Sequence, residues 1–440
     1  MLDERPRVRF QKLFFPYGAL MLYALLIWAR LPVLFSDPRF WAEEGTVFFG
    51  SALEQPFLGS LFMVRQGYFN LIDNVAGIIA ARAVPLERAP VVTLMVSLLI
   101  QLLPAWLILT SRIEVLRSRT SQTMALGVIL LSIPDIEIWL NTSNCQFHLA
   151  VSVFIILISA AQQRRYAILG RAAVLLMSGL TGIASVLLAP FFMVRAAVER
   201  TRARVIEAAV LTFSMAVQGV AVMYAISGGA RGISFDPNVY ACVLFVKSIL
   251  LPLGGFSTIT DEISDTVFRA AASGHTPALV YLTVLMAVGV LGVMAFRSRC
   301  HEARIAWMAF LWITVISFVG GIDAEKDTYI LPQLGGRYFY VPNVCLGLLL
   351  VMLVSREGAR SAIARSSAAV VLIWVLIMGG YDYIGTRRNP YYEQFTQGPS
   401  WRAGVAAWRM DHALPIRIWP ESWTVEIPAA PDKSGKTGTH

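Results

Sequence analysis

Charged residues are scarce in this sequence of 440 residues. They make up 15% of it, against roughly 25% in soluble globular domains, while 56% of the residues are hydrophobic. A soluble chain of this length would lack the polar side chains needed to cover its surface. The same proportions exclude disordered, collagen-like and coiled-coil proteins. The composition is therefore typical of a polytopic membrane protein.

Cysteine is also scarce, and the four cysteines are scattered. Cys145, Cys242, Cys300 and Cys345 show neither metal-binding nor disulfide spacing, which argues against redox and structural-zinc sites. The net charge of +9 would favour nucleic-acid binding in a soluble protein. Here the basic residues occupy short loops between apolar runs, where they orient a membrane protein, so we predict no nucleic-acid partner.

The apolar runs predict an all-α integral membrane protein with about eleven transmembrane helices. The first run follows a basic segment and has no small-residue cleavage site after it, so we expect an uncleaved helix. Two further runs, 68–83 and 239–253, contain polar residues and are predicted to be amphipathic helices on the outer surface. The eleven predicted spans are 13–35, 89–111, 123–140, 146–161, 172–183, 184–197, 205–227, 277–296, 305–321, 339–354 and 366–382. The pair 172–183 and 184–197 is short and could form a broken span.

The distribution of charge predicts the orientation. Six short segments that contain 20 of the 37 Lys and Arg residues contain only six acidic residues. Positive-inside orientation places these segments in the cytoplasm, with the N-terminus inside and the C-terminus outside. We expect a transmembrane domain over residues 1–382 with its first outer loop at 36–88, a short outer segment at 383–427 and a disordered tail at 428–440.

The first outer loop contains three carboxylates close to the end of the first helix. Asp37 followed by Pro38 predicts a helix start, which would place Glu43 and Glu44 on a short surface helix. Adjacent helical side chains point about 100° apart, so the two glutamates would have different roles. A carboxylate beside a low-dielectric region can have a raised pKa, which suits a general base. The alternative is a solvated acidic cap.

Cofactor requirements are not evident from the sequence. Asp37, Glu43 and Glu44 could coordinate a divalent cation through oxygen, but their spacing demands none, and we assign no metal ligand. Arg337 lies at the outer end of a predicted span and suits a lipid phosphate; an interfacial anchor within an aromatic belt is the alternative. His148, taken alone, is better explained as a hydrogen-bonded structural residue. The candidates for binding substrate or lipid phosphate are Arg337, Arg65, Lys326, Tyr338, Tyr68, Trp41, Asn70, Gln146 and His148.

Several of these motifs resemble the GT-C superfamily of polytopic membrane glycosyltransferases. The stretch Phe40-Trp41-Ala42-Glu43-Glu44-Gly45, followed by Gly67-Tyr68-Phe69-Asn70-Leu71, is similar to two motifs of bacterial members. Gly179-Leu180-Thr181-Gly182, Arg337-Tyr338-Phe339 and the segment from Trp401 to Trp423 also resemble features of that group. The sequence has Glu44 where the family pattern has Asp, and Asn70 where it has His.

The resemblance implies a function in the bacterial inner membrane. A sugar would pass, with inversion, from a polyprenyl-phosphate donor to a periplasmic glycan or lipid-linked acceptor. Glu43 or Glu44 would be the base, and Arg337, with Arg65 or Lys326, would stabilise the phosphate. A transporter or flippase for a lipid-linked or anionic solute is the main alternative, and it predicts essential charges near the bilayer midplane. A structural subunit without chemistry is a third alternative.

Overall fold

The protein is described by a computed structural model over residues 5–65, 67–110, 113–133, 137–228, 235–320, 323–355, 358–384 and 398–428. Regular structure in these ranges is almost entirely helical, which confirms the predicted all-α class. Residues 429–440 of the predicted tail, and residues 385–397 of the segment before it, lie outside these ranges.

Nineteen α-helices are described, many of them short. They are α1 (Arg5–Arg30), α2 (Val33–Ser36), α3 (Gly50–Glu54), α4 (Phe57–Leu61), α5 (Leu71–Arg82), α6 (Ala89–Thr110), α7 (Arg119–Leu131), α8 (Cys145–Ile158), α9 (Arg165–Gly179), α10 (Ala189–Glu199), α11 (Arg202–Ser227), α12 (Pro237–Phe245), α13 (Leu251–Gly254), α14 (Thr258–Ala272), α15 (Ala278–Arg297), α16 (His301–Val319), α17 (Arg337–Val354), α18 (Ala362–Ile384) and α19 (Trp401–Met410).

The remaining elements are short. Two π-helical segments lie at Glu44–Phe49 and Val246–Leu250, and 3-10 segments lie at Leu86–Arg88, Glu114–Leu116, Val186–Leu188 and Asp323–Ile330. Strand β1 (Val64–Arg65) pairs antiparallel with β2 (Tyr68–Phe69), and β3 (Ile416–Arg417) pairs antiparallel with β4 (Thr424–Val425).

Seven helical segments of the described residues are long and apolar enough to cross a membrane. The chain is therefore a multi-pass membrane protein, but the predicted count of about eleven spans is not what the structure shows. Predicted runs at 123–140, 146–161, 172–183 and 184–197 correspond to α7, α8, α9 and α10, which have 13, 14, 15 and 11 residues. The predicted first span, 13–35, is not among the seven either, because the apolar part of α1 is limited to Phe15–Arg30. Crossing the hydrocarbon core takes about 20 residues. The seven segments are Leu86–Thr110, Arg202–Ser227, Pro237–Gly254, Ala278–Arg297, His301–Val319, Arg337–Val354 and Ala362–Ile384.

One of the seven, Pro237–Gly254, corrects the prediction of a surface helix at 239–253. Lys247 is one of the polar residues of this run, and it is completely buried. Its Nζ donates to the carbonyl oxygens of Leu331 and Pro332 at 2.7 and 2.8 Å. Because these carbonyls replace water around the ammonium group, a lysine can occupy an otherwise apolar segment. The other predicted surface helix is α5, whose 12 residues are too short to cross.

Helices α8 and α17 form the centre of the molecule. Every residue of α8 is buried, as expected for a helix that is apolar on all sides. It packs against α6 and α17, and α17 also contacts α7, α16 and α18. Gly347 permits the close approach of α7, because a Cβ there would lie 2.4 Å from Val128 Cγ1.

The first loop and the C-terminal segment form a second, smaller core at one end of the bundle. Phe40 and Phe49 pack against Trp401 of α19, with ring centres 5.0 and 5.9 Å from the Trp401 ring. The packing leaves no room for a side chain at Gly45, because a Cβ there would lie 2.6 Å from Ile418 Cδ1. The acidic motif is thus held between the bundle and the C-terminal segment.

Candidate functional site

The acidic motif begins with an extended segment. Two main-chain hydrogen bonds join residues 40–42 to Trp419 of the C-terminal segment. Ala42 has φ +34°, which turns the chain, and helical structure starts at Glu43. The short helix carrying the two glutamates is present, but the predicted helix start at Asp37–Pro38 is wrong, because the backbone that follows is paired with Trp419.

Glu44 is buried and holds two loops together. Its Oε2 accepts from the Trp41 N–H at 2.8 Å, and its Oε1 accepts from the Thr142 N–H and hydroxyl at 2.5 and 2.8 Å. Burial raises the pKa of Glu44 to about 7, although the hydrogen bonds from Thr142 and Trp41 favour the charged form. Both oxygens are therefore engaged in positioning the acidic motif against the turn that precedes α8.

Asp73 is a further carboxylate at this place, one that sequence reasoning did not select as catalytic. It lies in the first turn of α5 and is 1% exposed. Asn70, the N-cap of α5, donates from Nδ2 to Asp73 Oδ2. Burial raises the pKa of Asp73 well above its usual value, and the charges of Glu44 and Glu43 add to the rise. Burial thus works against the charged form of Asp73.

Glu43 is half-buried, whereas Glu44 and Asp73 are buried. Its charge contributes to the raised pKa values of Glu44, Asp73 and Tyr68, which places it near all three. The pKa of Tyr68 is raised to about 12, mainly by burial, while the charge of Arg337 opposes the rise. Glu43 is thus the accessible carboxylate of this group.

Arg337 and Glu137 lie at the same end of the bundle. Arg337 is the first residue of α17, and its guanidinium donates to the Glu137 carboxylate and lies 5.2 Å from the centre of the Tyr338 ring. The Arg337 and Glu137 side chains are 31% and 22% exposed, so a solute can reach them. A guanidinium can exchange a carboxylate for a phosphate, because both accept two parallel hydrogen bonds. We call Glu43, Glu44, Asp73, Glu137 and Arg337 the acidic cluster.

The turn that supplies Glu137 is fixed by two amide side chains. Asn141 and Asn144 donate from Nδ2 to the Glu137 carbonyl oxygen at 2.6 and 3.0 Å. Between them, Thr142 binds Glu44. The polar turn before α8 therefore connects the carboxylates of the first loop to Glu137.

Two glycine-containing motifs that are distant in sequence meet beside the acidic cluster. The Leu71 N–H donates to the Leu180 carbonyl oxygen at 2.8 Å, and the Gly182 N–H donates to the Phe69 carbonyl oxygen at 3.0 Å. Gly182 has φ +72°, and a Cβ there would lie 2.1 Å from Gln146 Oε1. The predicted residue Gln146 therefore packs where these motifs join.

Gln218 of α11 completes this junction. Its Oε1 accepts from the Phe69 N–H at 2.9 Å, and its Nε2 donates to the carbonyl oxygens of Phe69 and Gly179. Because all of these groups are buried, Gln218 satisfies backbone atoms that would otherwise lack a partner. It orients the strand that carries Tyr68.

His148 lies behind the site and not in it. It is completely buried, and its Nε2 is 3.2 Å from the Ile138 carbonyl oxygen. Its ring packs against Trp139 and Tyr340, with centres 4.7 and 5.1 Å apart. The structural explanation of His148 fits these contacts, whereas the predicted role in binding substrate does not.

Four other predicted residues make contacts elsewhere. Asp37 accepts from the Ser400 hydroxyl at 3.0 Å, and Lys326 donates to the Val319 carbonyl oxygen at the end of α16. Trp41 packs beside Trp419, and Arg65 is exposed on β1 opposite Tyr68. Arg65 lies next to the acidic cluster in the fold, but Asp37 and Lys326 make structural contacts.

The described part of the chain contains no group of three or more His, Cys, Asp or Glu residues placed to hold a metal ion. The proposed oxygen ligands diverge, because Asp37 turns to Ser400 while Glu44 turns to Thr142. We therefore assign no step to a cation.

An apolar cavity of about 650 Å³ lies deeper along α17. Asn343 stands on its wall, six residues after Arg337, which corresponds to about 9 Å along the helix. Leu282 and Met286 also line it and are exposed on the outside of the bundle, so the cavity opens towards the membrane. A hydrocarbon chain fits such a space.

Sequence reasoning missed Asp73, Glu137, Thr142 and Gln218 as parts of the site. Their signal was weak, because each lies within or beside an apolar run and none belongs to a recognisable catalytic motif. A polar residue at membrane depth usually faces a cavity or a partner, and that rule applied to Asp73 and Gln218 would have selected both.

Comparisons with known proteins do not assign the chain to a family. No family model, no curated protein and no solved structure matches it. The function is therefore argued from the site and from the motifs that carry the resemblance.

Proposed function

We propose that the protein is a membrane glycosyltransferase that transfers a sugar from a polyprenyl-phosphate donor to a glycan or lipid-linked acceptor. The observation that carries the proposal is the acidic cluster. An accessible carboxylate, Glu43, and an accessible guanidinium, Arg337, occur at the same end of the bundle, next to a membrane-open apolar cavity. Transfer from a lipid phosphate requires these three features: a base, a phosphate-binding group and a space for the lipid.

Glu43 is the proposed base. The sequence left Glu43 and Glu44 as alternatives, and the contacts favour Glu43. Glu44 is 2% exposed, and its two oxygens already accept three hydrogen bonds from the protein, so it is poorly placed to reach an acceptor hydroxyl. Asp73, with its raised pKa, is suited to donating a hydrogen bond to a sugar or acceptor hydroxyl.

Arg337 is the proposed phosphate-binding residue. On donor binding it would exchange the Glu137 carboxylate for the donor phosphate, which presents equivalent oxygens. The lipid chain would lie in the 650 Å³ cavity below. Tyr68 and Tyr338 border the same space and are candidates for stacking on a sugar ring.

The proposed reaction is one displacement. The acceptor hydroxyl oxygen attacks the anomeric carbon while its proton passes to the Glu43 carboxylate. The bond between the anomeric carbon and the phosphate oxygen breaks, and polyprenyl phosphate leaves with its charge stabilised by Arg337. Attack opposite the leaving group inverts the anomeric centre, as the resemblance implies.

The proposed location is the bacterial inner membrane, with the acidic cluster on the periplasmic side. The positive-inside distribution of Lys and Arg supports this orientation, since the basic loops lie at the other ends of the same helices.

The test compares surface and lipid-linked glycans by mass spectrometry in cells with the wild-type protein, a deletion, Glu43→Gln and Glu44→Gln. We expect one sugar to be lost in the deletion and in Glu43→Gln, with the lipid-linked donor accumulating in both. Glu54→Gln is the matched control, because Glu54 is exposed at the end of the same short helical stretch. Protein levels in the membrane are measured alongside.

Three results would contradict the proposal. Complete glycans in the deletion would remove the transferase assignment, and wild-type glycans in both Gln variants would favour a structural subunit. Loss of the sugar in the deletion without any donor turnover by the purified wild-type protein would favour a transporter or flippase.

A further inference from the structure

A second cavity lies at the other end of α8. It has a volume of about 930 Å³ and is bounded by α10, α16, the end of α8 and the 3-10 segment Glu114–Leu116. The acidic cluster contacts the turn before Cys145, and α8 is 14 residues long, so the two places are about 21 Å apart. This cavity therefore belongs to the opposite leaflet of the membrane.

Apolar side chains form most of its wall and continue onto the outside of the bundle. Val194 and Val198 of α10 are 63% and 76% exposed, and Met308 and Trp312 of α16 are 37% and 40% exposed. Helix α10 has only 11 residues, which is about half the length needed to cross the hydrocarbon core. The cavity opens sideways into the lipid beside this short helix.

Charged side chains of both signs lie among the lining residues. Arg195 and Glu199 are already paired with each other. Arg117 and Glu114 are exposed, and the described residues provide no side-chain hydrogen bond or ion pair to either. The Glu302 carboxylate is mostly buried, and its one described polar neighbour is the His301 ring at 3.5 Å. A cation and two carboxylates are thus left beside a membrane-open apolar cavity.

We propose that this cavity holds a membrane phospholipid whose head group carries a primary amine. The acyl chains would lie against α10 and α16, the phosphate would bind Arg117, and the ammonium group would bind Glu302 and Glu114. Charge complementarity selects this occupant. A head group with a phosphate and no amine would place its negative charge beside the Glu114 and Glu302 carboxylates without a cation between them. A quaternary ammonium lacks the N–H donors that carboxylates accept. The proposal does not depend on the glycosyltransferase assignment.

The test is native mass spectrometry of the purified, delipidated protein with phosphatidylethanolamine, phosphatidylcholine and phosphatidylglycerol of the same chain length. We expect the amine lipid to bind about fivefold more tightly than the other two, in keeping with one charged group near the head-group region. Arg117→Ala should weaken all three lipids by about fivefold. The double variant Glu114→Gln and Glu302→Gln should remove only the preference for the amine lipid.

Two variants keep the test decisive. Arg165→Ala removes an exposed arginine outside the cavity and should leave all three affinities unchanged. Val194→Trp fills the apolar part from a lipid-facing position, so it should reduce lipid binding without changing the melting temperature. Equal binding of the three lipids, or an Arg117→Ala variant that binds like wild type, would overturn the proposal. Preferential binding of polyprenyl phosphate would overturn it as well.

Discussion

Two groups of carboxylates lie at opposite ends of α8, and they are built differently. At the start of α8, the acidic cluster combines four carboxylates with one guanidinium, that of Arg337. At the end of α8, the carboxylates Glu199 and Glu207 are bound by three guanidiniums, which we call the arginine network: Arg171, Arg195 and Arg204.

In the arginine network, the charges of the carboxylates and guanidiniums are almost fully balanced by ion pairs and hydrogen bonds. Glu207 accepts from Arg171 at 3.0 Å and from Arg204 at 2.7 Å, and Arg204 also donates to Glu199 at 2.9 Å. Arg195 and Arg204 both donate to carbonyl oxygens at the end of α8, including that of Ser159. Although burial raises the pKa of Glu199, the hydrogen bonds and charges of Arg204 and Arg195 prevail and hold it below its usual value.

The acidic cluster shows the opposite balance. Burial raises the pKa values of Glu44 and Asp73, and hydrogen bonds from neutral groups only partly offset this. A buried carboxylate without a compensating cation lowers the stability of the fold. Such carboxylates are typical of sites where proton transfer is useful. The comparison therefore indicates a stabilising role for the arginine network and agrees with the chemistry proposed for the acidic cluster.

The largest effect is expected from breaking the arginine network. Arg204→Ala leaves Glu207 with one cation and removes one of the two arginines that donate to the last carbonyls of α8, so we expect a loss of about 3–5 kcal/mol of stability. Melting in detergent measures it. Arg202→Ala, on the same helix and exposed, should be neutral. Transfer activity per folded molecule should not change; a drop in that activity would show that the two ends are coupled.

The second largest effect is expected from Arg337→Ala, and it should appear in the rate of the transfer reaction. Arg337→Ala removes the cation proposed to stabilise the leaving phosphate, so we expect the rate of polyprenyl-phosphate release to fall by about 10²–10³. The melting temperature should change little, because the Arg337 side chain is 31% exposed. Arg409→Ala, which breaks an exposed ion pair with Glu87, is the control. A large loss of stability with an unchanged rate would place Arg337 with the structural arginines.

Glu44→Gln should mainly affect stability and its pH dependence. The amide can accept both bonds from Thr142, but its NH₂ group then meets the Trp41 N–H donor, at a cost of about 1–3 kcal/mol. The wild-type protein takes up a proton at Glu44 on folding, since its pKa rises from 4.5 to about 7. This contribution is complete below pH 4.5 and is lost as the pH rises through 7.

The measurement for Glu44 is the melting temperature between pH 4.5 and 8. The wild type should lose more stability across this range than Glu44→Gln, which cannot titrate. Identical pH profiles for the two proteins would show that Glu44 is ionised in the folded state at low pH.

The sequence predicted the class of fold better than the number of spans. Apolar content identified a membrane protein, but apolar runs do not distinguish a helix that faces lipid from a buried helix such as α8. The error at Pro237–Gly254 was the opposite one, since a span was predicted to be a surface helix. The carbonyl oxygens that bind Lys247 come from a turn more than 80 residues away in the chain, so they could not be predicted from the local sequence.

The candidate site was predictable in part. Glu43, Glu44 and Arg337 were found from residue type and from the resemblance, and the contacts place them at one end of the bundle. The distinction between Glu43 and Glu44 could not be predicted, since it depends on Thr142, almost 100 residues later. The structural use of Asp37 likewise depends on Ser400.

The smallest effect is expected at two strained residues, one beside each group of carboxylates. Ala42 and Arg200 have φ values of +34° and +49°, a region that glycine adopts with less strain. Glycine at either position relieves that strain but increases the entropy of the unfolded chain, so we expect a gain of at most about 1 kcal/mol in each case. Stability alone therefore does not separate the two positions.

Activity should separate them. Ala42 directs the turn into Glu43, and its N–H is bound by the Trp419 carbonyl oxygen. Glycine there loosens the orientation of the proposed base, so we expect Ala42→Gly to lower the rate severalfold at an unchanged or higher melting temperature. Arg200→Gly, at the end of α10, should leave the rate unchanged. Equal rates in both variants would mean that the conformation at Ala42 serves packing only and does not orient Glu43.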